Sequence, residues 1–181
     1  MNKNHPLFLH LHNKLFHSTS VAAYRKIKED GFIKPNIGNF PYSHSQSRGS
    51  CASRLGVISL FDFKVPIRKI FISSPPAWYN VLLAHEPVTI IIELNRKYIS
   101  EKLISWYRMK DSAGNTPCLL IPYVEVGYPE PIPLSAVEEY IVVLSENPKE
   151  FGIENGKLLS GKLLDKLEEM SKIYWDIISG A

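Results

Sequence analysis

Glu138 and Glu139 stand side by side at the mouth of VEEYIVVL (137–144), a run that otherwise reads as a buried strand. Side chains alternate faces along a strand, so the two carboxylates point to opposite sides. One can sit in water; the other needs a use. Histidines gather at 5, 10, 12 and 17, but no carboxylate or thiolate lies beside them at metal-ligand spacing, so no metal site is expected. Cys51 and Cys118 form no CxxC pair, zinc pattern or catalytic-thiol motif. Reduced thiols in a cytoplasmic setting are the expectation. No Gly-rich phosphate loop of the Walker or Rossmann type is present.

The elements that must position these residues can be read in outline. LFHST (15–19) has the composition of a short strand and carries His17. SVAAYRKIKED (20–30) places Ala23, Tyr24 and Ile27 on one helical face, with Ser18 or Ser20 as cap and Gly31 as a stop. Phe32-Ile33 begins a second short strand. Residues 37–55 are rich in serine and carry Arg48 and Arg54, which reads as a long polar loop. LGVISLFDF (55–63) and VTIIIEL (88–94) read as strands, the second rich in β-branched residues. SEKLISWYRM (100–109) reads as a helix capped by Ser100, and LLIPYVE (119–125) as extended chain with Pro122 at an edge or bulge. The tail, about 157–178, repeats apolar residues at helical spacing with charges opposite, so an amphipathic C-terminal helix is expected to pack on the domain's own core. Its use as a surface for a second copy or an inhibitor protein is the alternative.

The 181 residues fit a single domain, 1–181, with no internal repeat. Hydrophobic residues make up 45% and charged residues 22%, as in ordinary globular chains. A formal charge of +3 permits a nucleic-acid partner without requiring one. No stretch approaches the about 20 apolar residues of a membrane helix, and the N-terminus lacks a signal-peptide core.

In this order the motifs resemble the ADP-ribosyltransferase fold, in its diphtheria-toxin-like branch that includes the poly(ADP-ribose) polymerases. LFHSTSVAAYRKIKEDGFIKPN is similar to that family's first strand and helix, GVISLFDF to its glycine-led second motif, and EEYIVVL to its third. These stretches cover about 37 of 181 residues. The resemblance implies an α+β fold of split mixed sheets with flanking helices, and NAD as substrate. It implies that His17 binds a ribose hydroxyl of the adenosine half, that main-chain groups of Ser18 grip the carboxamide, and that the Thr19 hydroxyl lies nearby. It also implies that Glu139 is the inward, catalytic carboxylate, with Glu138 its solvated neighbour. Cleaving nicotinamide from ribose develops an oxocarbenium-like sugar, which a carboxylate at the ribose 2′-hydroxyl stabilises mainly in the transition state.

The sequence departs from the family at the second motif. Ile58 stands where that branch has a tyrosine that stacks on nicotinamide, and Ser59 follows, similar to the Ser-x-Ser of the sister branch. Ser59 is therefore expected to hold the glutamate, and Tyr42, Phe61, Trp78 and Tyr79 are candidates for the stacking ring. Arg54 or Arg48 in the polar loop is the candidate for the NAD pyrophosphate. Together these imply a mono-ADP-ribosyltransferase acting on a macromolecular acceptor, nucleic acid or protein, of the bacterial-toxin or phage-conflict kind. An inhibitor (antitoxin) protein is a further partner such toxins have. An NAD glycohydrolase and a non-catalytic nucleotide- or partner-binding module are the alternatives.

Overall fold

The computed structural model describes residues 6–36, 49–64, 87–115, 117–144, 151–155 and 161–179. Most of the polar loop (37–48), with Tyr42 and Arg48, and residues 65–86, with Trp78 and Tyr79, lie outside the described residues. The described elements are α1 (Pro6–Leu11), β1 (Leu15–Ser20), α2 (Val21–Asp30), β2 (Phe32–Ile33), α3 (Cys51–Leu55), β3 (Ile58–Asp62), β4 (Val88–Leu94), α4 (Arg96–Ile99), α5 (Trp106–Ala113), β5 (Glu125–Tyr128), β6 (Ile132–Pro133), β7 (Val137–Leu144), β8 (Phe151–Asn155) and α6 (Gly161–Ser179). The class is α+β, as expected.

Six strands form one antiparallel sheet in the order β5-β3-β1-β4-β7-β8, and β2 pairs with β6 apart from it. β4 is central and covered on both sides: Val88, Ile90, Ile92 and Leu94 line one face, and Thr89, Ile91 and Glu93 the other. Residues opposed across an antiparallel ladder share a face, so the register sorts the whole sheet. Leu15, His17, Ile90, Ile92 and Tyr140 fall on one face; Phe16, Phe61, Ile91, Glu93, Glu139 and Ile141 fall on the other. The first face packs against Val21, Tyr24 and Ile27 of α2 and Leu164 and Leu167 of α6. Arg25 fastens those two helices together, with 2.6 and 2.8 Å bonds to Glu168 and one of 2.7 Å to Asp165. The second face is closed by Phe8 and Leu11 of α1 and by Ile121 and Val124.

Local signals explain most element ends. Ser20 caps α2 by accepting the Ala23 N–H, and Gly31 ends it in the left-handed region at φ 75°. Three expectations are corrected. The end of the polar loop is a helix, α3, because Ser50 accepts the Ser53 N–H and Gly56 (φ 66°) stops it. The helix expected over 100–109 begins at Trp106. Ser105 caps it, because Ile104 is engaged as an isolated bridge to Gly127. Chain 119–125 is not continuously extended: it turns at Pro122–Val124, and Glu125 begins a strand. The amphipathic tail helix is α6, whose described part starts at Gly161. Helix α1 and strand β8 had no sequence signal.

Cys51 and Cys118 are joined as a disulfide, Cα atoms 5.1 Å apart, across 67 positions. This corrects the expectation of reduced thiols. Cys51 opens α3, and an isolated bridge pairs Ser50 with Leu119, with Cys51 N–H bonding the Leu119 carbonyl at 2.9 Å. The bond therefore staples the approach to β3 to the approach to β5. Gly127 lets this corner close: a Cβ there would come within 2.9 Å of Val57 and 3.1 Å of the Met109 sulfur.

Candidate active site

β1 and β3 pair only at Leu15↔Asp62 and Phe16↔Phe61. Beyond that point β1 stays with β4 through Ser20, while β3 stays with β5. The sheet thus parts into a β5-β3 half and a β1-β4-β7-β8 half, and His17 is the first residue past the fork. Its Nδ1 lies 2.9 Å from the Ser59 carbonyl oxygen. A carbonyl only accepts, so Nδ1 carries the hydrogen and Nε2 is left as an acceptor. Burial pushes the imidazole below its ordinary value, against the pull of that carbonyl, so His17 is neutral near pH 7.

Ser59 joins a second partner through its side chain. Its hydroxyl donates to Glu125 Oε1 at 2.8 Å, and the Ile121 N–H donates to Glu125 Oε2 at 2.8 Å. Glu125 is only 5% exposed, and no described residue makes an ion pair with it. Burial raises its carboxyl above the ordinary range, although the Ile121 N–H and then the Ser59 hydroxyl oppose the rise. One chain of contacts, from His17 to the Ser59 carbonyl and from the Ser59 hydroxyl to Glu125, links β1, β3 and β5 at the fork, with Glu125 opposing Phe61 and so on the face opposite His17. It offers an imidazole acceptor and a dry carboxylate held by two neutral donors. The imidazole can accept a hydroxyl, and the carboxylate can place negative charge beside a developing cation.

The structure does not bring Glu139 to this place. Glu139 lies two strands from β1 and four from β5; it shares with Phe61 and Glu125 the face opposite His17, so distance along the sheet is what separates it from the fork. It opposes Glu93 directly, and Lys14 lies between the two, 2.6 Å from Glu93 and 3.2 Å from Glu139. His10 Nε2 lies 3.2 Å from Glu139 and 3.3 Å from the Lys14 Nζ. Burial pulls the Lys14 ammonium down, but the bonds to Glu93 and then Glu139 outweigh it and hold Lys14 above its ordinary value. Burial, then the Lys14 charge, pushes His10 down, and burial pushes Glu93 up. His10, Glu93 and Glu139 have ligand atoms within 4.8 Å of one another, the geometry a metal would need. The Lys14 ammonium already serves as their cation. The inward glutamate is a half-buried member of a charge cluster that clasps the N-terminal segment to the sheet.

The remaining predicted residues are scattered. Thr19 shares the His17 face and is buried; Ser18 opposes Ile91 on the other face. Ile58 is buried in the α2–α6 core, so no ring projects there. Phe61 stacks on Phe16 at 5.7 Å in the opposite core. Arg54 is exposed on α3. Sequence reasoning missed Glu125. The available signal was a lone acid within YVEVGY, flanked by apolar residues that a solvated carboxylate does not need.

No protein-family model matches the chain, and no curated protein matches it. Among solved structures, a heat-labile enterotoxin variant noted for a flexible active-site loop in its A subunit is 18% identical. It has a TM-score of 0.45 and covers 78% of this chain and 73% of its own. An E. coli heat-labile enterotoxin variant described as inactive without conformational change is 16% identical, with a TM-score of 0.45 over 78% and 75%. A double mutant of the enterotoxin is 14% identical, with a TM-score of 0.42 over 73% and 57%. At these identities the likeness is one of fold.

Proposed function

We propose that the chain cleaves nicotinamide from NAD and transfers ADP-ribose to a macromolecular acceptor, with Glu125 as the carboxylate that the reaction needs. The observation that carries this reading is the Ser59–Glu125 hydrogen bond at the fork of the sheet, with His17 bonded to the same serine. The sequence resemblance supplies the reaction class, and its motifs supply His17 and Ser59. Glu125 takes the role that the resemblance assigned to Glu139, whose carboxylate is committed to Lys14.

In this reaction the bond between ribose C1′ and the nicotinamide nitrogen breaks, and nicotinamide leaves with the electron pair. C1′ takes a lone pair from the acceptor, which gives up a proton. His17 Nε2 accepts a ribose hydroxyl of the adenosine half. The ionised Glu125 accepts the 2′-hydroxyl of the other ribose and steadies its oxocarbenium character. Ser59 and Ile121 hold the carboxylate in place, so little reorganisation is needed as charge develops. The main chain of Ser18, with the Thr19 hydroxyl nearby, lines the β1 side of the fork. Transfer to a target macromolecule is the chemistry of a toxin-like effector.

Ile58 favours one further reading. With an aliphatic residue buried where a stacking ring is expected, a module that binds NAD without cleaving it fits the same fork. Nicotinamide release from NAD by the purified chain separates the two. Release that rises with cell lysate, and falls when the lysate is pretreated with nuclease or protease, identifies a transferase and its acceptor class. Release independent of lysate identifies hydrolysis. Tight NAD binding without release would leave the binding module.

A further inference from the structure

Beside Glu125 lies an aromatic surface that the fork does not use. Trp106 opens α5, and its ring centroid is 4.8 Å from those of both Tyr107 and Tyr123, which are themselves 6.1 Å apart. These rings are not core: Tyr107 is 56% exposed, in contrast to Met109 of the same helix, which is fully buried. Tyr123 sits two residues before Glu125 at φ 66°. A bulky side chain in the left-handed region is strained, and such strain persists where the surroundings hold it. The turn that gives the Ile121 N–H to Glu125 thus also presents Tyr123 to Trp106.

Two polar features adjoin the rings. The Trp106 indole N–H is buried and has no hydrogen-bond partner, a donor lacking an acceptor. Trp106 and Lys110 line a groove of about 300 Å³, with Pro117, Cys118, Leu120 and Cys51 around it. That is the small end of the range for ligand sites. Lys110 holds its ammonium 5.2 Å from the Trp106 ring centroid. Lys110 and, two residues earlier on α5, Arg108 are exposed and make no ion pair among the described residues. An exposed ring, Tyr107, beside a cation that makes no ion pair offers the elements of single-strand recognition: a base stacks and a phosphate meets the charge.

We propose that Trp106, Tyr107 and Tyr123 form a docking surface for single-stranded nucleic acid. An unstacked base lies against Tyr107, and the backbone runs past Lys110. The turn at 122–124 joins Tyr123 to Glu125 along the chain, and in this reading the docked strand is the acceptor. That last step rests on the ADP-ribosyl-transfer reading; the docking itself does not.

The test is fluorescence anisotropy of short, labelled, mixed-sequence DNA and RNA single strands titrated with the full chain. Tyr107→Ala is expected to weaken binding about 5- to 100-fold, and Tyr107→Phe to restore it. Lys110→Ala is expected to lower the slope of log affinity against log salt by about one. Absence of binding at low salt, or equal binding by parent, Tyr107→Ala and Lys110→Ala, overturns the proposal. Binding of peptides instead of either strand overturns it in favour of a protein acceptor. Nicotinamide release on the same preparation keeps the two readings apart. Tyr107-dependent strand binding without NAD turnover upholds the docking surface and sinks the transferase. Turnover without strand binding does the reverse.

Discussion

Two glutamate sites lie on this sheet, and they are built on different terms. Glu139 and Glu93 oppose one another on adjacent strands and share the Lys14 ammonium, with His10 alongside. Glu125 has no cation among the described residues; a serine hydroxyl and a backbone N–H hold it, and it is more deeply buried. An ammonium neutralises a carboxylate and fixes its charge. Neutral donors orient a carboxylate and leave its charge available to a ligand. The first site reads as a clasp and the second as a working group, although both are inward acids on rigid strands.

The disulfide sharpens the contrast, because it braces only one of the two sites. It ties the helix before Ser59 to the segment before Ile121, and it touches nothing of the Lys14 cluster. By loop-closure entropy over 67 positions, its removal is expected to cost about 4 kcal/mol. Denaturant unfolding of a Cys51→Ser, Cys118→Ser protein checks the cost. A loss of NAD turnover before global unfolding would locate the first loosening at Glu125.

Lys14→Met breaks the clasp. It leaves two half-buried carboxylates facing each other without a cation, at a cost of about 1–3 kcal/mol. A lowered thermal midpoint, recovered in part by adding Glu93→Gln, is the expected pattern. Ser59→Ala acts on the other site. Losing one oriented donor is expected to lower turnover about tenfold and stability by about 1 kcal/mol, with NAD binding largely kept.

A smaller effect separates the sites by pH. Burial holds the Glu125 carboxyl above its ordinary value, so the folded chain binds that proton more tightly than the unfolded chain does. Its contribution favours the fold below the ordinary carboxylate value. Stability then declines as pH rises through the raised value and is level above it. Glu125→Gln removes this decline. It is expected to gain on the order of 1 kcal/mol over the parent near neutral pH, and nothing near pH 4. Turnover runs the other way, rising with pH as Glu125 ionises. Last, Lys102→Ala breaks an exposed pair with Glu130, 2.7 Å apart, and should leave both melting temperature and turnover unchanged.

The sequence made some of this legible and hid the rest for physical reasons. β1, α2, β4 and β7 carry local signals: β-branched runs, a serine cap and a glycine stop. The α5 boundary was misplaced because Ser100 and Ser105 are both competent caps, and the Ile104–Gly127 bridge that decides between them is a long-range contact. Glu139 drew attention through its neighbours Tyr140 and Ile141, yet its partners His10 and Lys14 lie more than a hundred positions upstream. No spacing rule joins them. Glu125 was read as the end of an extended stretch because its two donors also come from outside its strand, Ser59 across β3 and Ile121 across the turn. His17 and Ser59 could be named from motifs. That the same serine holds both His17 and Glu125 is a property of the strand order.

The most direct test is nicotinamide release from NAD by Glu125→Gln and Glu139→Gln proteins, run side by side with the parent after both variants are shown to be folded. Glu125→Gln is expected to lose turnover by about a hundredfold or more. Glu139→Gln should keep most of it. Loss confined to Glu139→Gln, with Glu125→Gln as active as the parent, would contradict the account and move the reaction to the Lys14 cluster.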